Sequence, residues 1–67
     1  MSFGKRCMDL AEIVFQIAEK ETNDDDVKRQ GLLAAAVMNA KMTGYARNDL
    51  VRTLQAIWDG MDVEMAN

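Results

Sequence analysis

In the first third of the chain apolar residues recur at Phe3, Cys7, Leu10, Val14 and Ile17, stepping by four, three, four and three. That spacing keeps side chains on one side of a helix, and it is the a/d seam of helices that pack lengthwise. A second stripe, Met8, Ala11, Phe15 and Ala18, runs beside it, and Ile13 widens the apolar surface further. The pattern predicts a helix over about 4–21 whose apolar face is broader than one neighbouring helix needs. Asp9, Glu12, Gln16, Glu19 and Lys20 fall on the wet side.

Thr22-Asn23 breaks this periodicity, and Asp24, Asp25 and Asp26 come next. An Asn side chain accepts a hydrogen bond from an unpaired backbone N–H at a helix start, and acidic residues in the first turn oppose the positive end of the helix dipole. The expected second helix is therefore capped by Asn23 and runs over about 24–42, with Asp24–Lys28 and Asp25–Arg29 as ion pairs four apart. Its run Leu32 to Met38 is seven consecutive apolar residues. Successive helical residues point about 100° apart, so seven of them face every direction. Such a helix calls for burial over most of its circumference, by the rest of the chain or by a second copy. Gly31, Ala34, Ala35 and Ala36 allow close approach, while Leu33, Val37, Met38 and Met42 supply bulk.

Thr43-Gly44-Tyr45 closes the second helix, with Gly44 suited to a left-handed backbone after the last turn. Asn48-Asp49 repeats the capping pattern and opens a third helix over about 48–59, stopped by Gly60. Leu50, Leu54, Ile57 and Met61 form its stripe, widened by Val51 and Trp58. The acidic tail 62–67 is expected to fray. The fold expected is all-α: one small domain, 1–67, with three helices and the apolar second helix at its centre.

At 67 residues a chain hides only about 60% of the surface its unfolded form exposes, and folds of this size are commonly held by disulfides, a metal or association. A single cysteine permits no internal disulfide, and with no histidine a lone thiol does not make a zinc site. Association remains, and 49% hydrophobic residues favour it. A homodimer or higher helical bundle is expected, with Cys7, Leu10, Val14, Ile17, Leu33 and Val37 as interface candidates.

The net charge of −3 gives no field that would draw nucleic acid or an anionic membrane. No apolar stretch reaches the roughly 18 residues of a bilayer span, and Asp9 and Glu12 interrupt the stretch after Lys5-Arg6, against a signal peptide. A cytoplasmic protein is the expectation.

Candidate chemistry is sparse. A helix-loop-helix calcium site starting at Asp24 would need an oxygen ligand fifth, glycine sixth and glutamate twelfth, where Lys28, Arg29 and Ala35 stand. The acidic trio is read as a solvated helix start. Without histidine, with Ser2 as the only serine and with no glycine-rich phosphate loop, neither catalysis nor a cofactor is expected. Cys7 is read as a buried small hydrophobe, and Met38, Met42 and Met61 as fillers of core gaps.

The preferred function is that of a small non-enzymatic regulator, inhibitor or adaptor that binds protein through a helical surface as a homo-oligomer, its partners being itself and a heterologous protein. A second reading concerns residues 36–55. Ala40, Gly44 and Leu50 have the spacing of a DNA-binding helix-turn-helix, with Lys41, Arg47 and Arg52 toward phosphate and Asn48 and Asn39 toward base edges. Thr43 and Thr53 stand where that motif usually has apolar residues. A third reading is a protein that sequesters a small anion between subunits through Lys5, Arg6, Lys41, Arg47 and Arg52, with Tyr45 or Trp58 as stacking surfaces.

Overall fold

The computed structural model describes residues 2–61. Among them are three α-helices and no strand: α1 Phe3–Glu21, α2 Asp25–Met42 and α3 Arg47–Gly60. The protein is all-α. The chain forms two compact units, the first ending at Ala36 and the second beginning at Val37, so the division falls inside α2. The expected fraying of 62–67 lies outside the described residues.

In the first unit, α1 opens at Ser2, whose Oγ accepts the Lys5 backbone N–H at 3.2 Å. Asn23 does not cap α2. Asp24 does, its Oδ1 accepting from the N–H groups of Asp26 (2.9 Å) and Val27 (3.2 Å). Asn and Asp cap about equally well, so the local backbone decides between them. Here the Thr22 hydroxyl oxygen accepts the Asp24 N–H at 3.1 Å, which sets Asp24 facing the first turn. With Asp24 engaged as the cap, the expected pairs four apart give way to pairs three apart: Asp25–Lys28 at 3.4 Å and Asp26–Arg29 at 2.6 Å.

The second unit begins with the last turns of α2. Gly44 adopts φ +72°, and the Tyr45 N–H donates to the Ala40 carbonyl at 2.8 Å while the Gly44 N–H reaches the Lys41 carbonyl at 3.5 Å. This pair of bonds satisfies carbonyls that the helix end would otherwise leave open. Asn48 does not cap α3. The N-cap is Ala46, with no side-chain bond, because the turn returns the chain to helical geometry by Arg47 and leaves Asn48 within the first turn. Asp49 in that turn opposes the dipole. The Thr53 hydroxyl lies 2.7 Å from the Tyr45 hydroxyl and donates to the Asp49 carbonyl, tying the turn to α3.

Ala40, 6% exposed, is the one buried residue among those described. Lys28, Leu32 and Ala36 are partly buried, so the row 28, 32, 36, 40, one residue per turn, is the least exposed line of α2. Leu33, Val37 and Met38 of the apolar run are exposed, as are Met42 and Met61. A single chain therefore does not enclose the run, and the three methionines fill no core gap within it. The neighbouring segments cover one line of α2, whereas seven consecutive residues present apolar groups in every direction.

Candidate functional site

α1 carries the densest exposed apolar surface. Leu10 is 62% exposed, and Phe3, Met8, Ile13, Phe15 and Ile17 are exposed with it. Cys7, expected to be buried, is an exposed free thiol, because no described residue of its own unit covers that part of the seam. All six interface candidates are exposed in the chain.

The structure brings some of them together. Val14 and Ile17 of α1 line an open groove of about 300 Å³ with Ala18, Glu21 and Thr22, facing Val27, Lys28, Gly31, Leu32 and Ala35. Cys7 and Leu10 continue the same stripe of α1 beyond the groove. Leu33 does not line the groove, and Val37 belongs to the second unit. A shallower concavity of about 490 Å³ on α2, formed by Asp26, Val27, Gln30, Gly31 and Ala34, shares Val27 and Gly31 with it. Val27 was not among the sequence-derived candidates. Its signal is the row Val27, Gly31 and Ala34, stepping by four and three.

The rim of the groove is held by charge. Lys28 Nζ donates to Glu19 at 2.8 Å, joining α2 to α1, and lies 3.4 Å from Asp25, with 12% of its side chain exposed. The hydrogen bond to Glu19 foremost, with the nearby negative charges of Glu19 and Asp25, holds the Lys28 ammonium above the usual lysine range, while desolvation opposes the shift. The acidic trio is engaged locally, Asp24 as cap and its neighbours with Lys28 and Arg29. Among the described residues no group of three or more potential ligands is placed to hold a metal ion.

Lys41, Arg47, Asn48 and Arg52 are exposed on the second unit, and neither Lys41 nor the two arginines form an ion pair among the described residues. Around them the helix-turn-helix spacing has physical content: Ala40 is buried before the turn, Gly44 has positive φ, and Leu50 is the partly buried apolar residue of α3. Thr43 and Thr53 meet their local demands by bonds to backbone, the Thr43 hydroxyl donating to Asn39 at 2.8 Å and that of Thr53 to Asp49 at 2.9 Å. The basic residues named for anion binding are divided between the units, Lys5 and Arg6 in the first and Lys41, Arg47 and Arg52 in the second. Lys5 is already paired with Asp9 at 3.2 Å.

Comparison with protein-family models, with curated proteins and with solved structures finds no match for the chain. No helix among the described residues is long and apolar enough to cross a membrane.

Proposed function

We propose that the protein is a small non-enzymatic regulator or adaptor that binds protein through its helical surface and works as a homo-oligomer. One observation carries this reading: among the described residues only Ala40 is buried, while large apolar side chains are exposed on every helix, from Phe3 and Leu10 on α1 to Ile57 and Trp58 on α3. Exposed apolar surface such as the seam of α1 marks protein interaction surfaces. Affinity capture from host lysate, with and without nuclease, tests the reading. A partner protein retained in stoichiometric amount in both arms supports it, and capture that nuclease abolishes contradicts it.

A second reading, a dimeric DNA-binding regulator using residues 36–55, is favoured by the burial of Ala40 beneath the Gly44 turn. Binding of DNA would place Arg47, Asn48 and Arg52, near the start of α3, in the major groove. The eleven acidic residues of the chain weigh against it, since they oppose approach to phosphate.

A further inference from the structure

We infer that a second copy of the chain seats its α1 antiparallel on α1, over the groove that Val14 and Ile17 share with Val27 and Gly31, so that two first units close into a four-helix bundle. This rests on the self-association proposed above and names its surface and geometry.

The exposed surface fits. α1 is the helix that offers apolar surface most continuously, because its seam and the adjoining stripe are exposed from Phe3 to Ile17.

Charge sets the direction. The start of α1 holds Lys5 and Arg6 against Asp9, whereas residues 19–26 hold Glu19, Glu21, Asp24, Asp25 and Asp26 against Lys20. A parallel pair would stack the acidic ends on each other. An antiparallel pair brings each basic end to an acidic one and opposes the helix dipoles favourably. In antiparallel packing of two such seams the a and d positions alternate across the contact, which sets Cys7 against Ile17 of the second copy and Leu10 against its Val14. The symmetry repeats each pair.

Gly31 supports the placement. A glycine inside a helix lowers its stability, and in a lone chain nothing recovers that loss, since a Cβ built there meets no atom within 4 Å. Close approach by a helix of the second copy supplies the reason for a residue without a side chain.

Sedimentation equilibrium and disulfide trapping on the full chain test this. Wild type is expected to sediment as a dimer. Leu10→Glu and Gly31→Leu should each weaken dimerisation about 100-fold, and at concentrations high enough for Gly31→Leu to dimerise its helicity in circular dichroism should match wild type because leucine is the better helix former. Trp58→Glu on α3 should leave the dimer intact. Under mild oxidation with diamide, Ile17→Cys should trap a covalent dimer through native Cys7, and wild type should not. A dimer that tolerates Gly31→Leu and is lost in Trp58→Glu overturns this placement while leaving self-association standing, and cross-linking of wild type through Cys7 alone overturns the antiparallel direction. A monomeric wild type at high concentration overturns both.

Discussion

Asp24 and Asn23 are neighbours with nearly the same capping chemistry, yet only Asp24 accepts backbone N–H groups of α2. Asp24→Ala is therefore expected to lower stability by about 1 kcal/mol, while Asn23→Ala and Asn48→Ala shift it by no more than a few tenths. Denaturant titration of the three variants checks this, and a loss at Asn23 matching that at Asp24 would show the wrong cap. Gly44 is the other residue whose backbone decides its identity. Its Cβ would meet open space, so the expected loss of about 1–2 kcal/mol in Gly44→Ala comes from the left-handed φ alone. Glycine between two periodic stretches made this position legible from sequence. The caps were harder to read, because the bond from Thr22 that selects Asp24 depends on the path of the chain between α1 and α2. Cys7 misled for a related reason: its place on an apolar seam gives the face it occupies, and not whether its own chain covers that face.

The three helices were legible to within a residue at their ends, since each boundary coincides with a change in apolar period and a run of capping or turn residues. Less legible was the pairing between helices, of which Lys28–Glu19 is the clearest instance, nine residues apart and invisible to any rule of helical spacing. That pair yields a pH prediction with a definite sign. Lys28 has a pKa raised in the folded state, so its stabilisation is complete below the ordinary lysine value of 10.5 and is lost as pH rises through the higher folded value. The advantage of wild type over Lys28→Met in thermal midpoint should thus be constant through neutral and mildly alkaline pH and shrink at the alkaline end. An advantage that grew with pH would contradict the assignment. The hairpin of α2 and α3 carries its own test. If it read DNA, Arg47→Ala and Arg52→Ala would each reduce the salt dependence of binding by about one counterion. The protein-binding reading expects both variants to fold normally and no duplex to bind tighter than about micromolar at physiological salt, as filter binding across a salt series would show.

At the scale of the whole molecule, composition and periodicity carry different information. Forty-nine per cent hydrophobic residues with one cysteine and no histidine signalled a chain with more apolar surface than internal cross-links or ligands. Leu32 to Met38 added that one helix needs covering on all sides, but a repeat pattern cannot tell the same chain from another copy. Within this run the structure leaves Leu33, Val37 and Met38 exposed and Leu32 and Ala36 partly buried. The exposed apolar seam of α1 was legible because a repeat of threes and fours keeps one helix face apolar whatever packs on it. The groove was not, because it needs α2 at a particular distance from α1, set in part by the Lys28–Glu19 bond. The proposed self-association couples folding to binding, since a chain with Ala40 as the one buried residue among those described would draw stability from a second copy. The most direct test is light scattering and circular dichroism over one dilution series. Self-association predicts a mass of at least two chains at micromolar concentration, with helicity falling together with mass on dilution, whereas a monomer that stays helical and unfolds cooperatively at high concentration would contradict it.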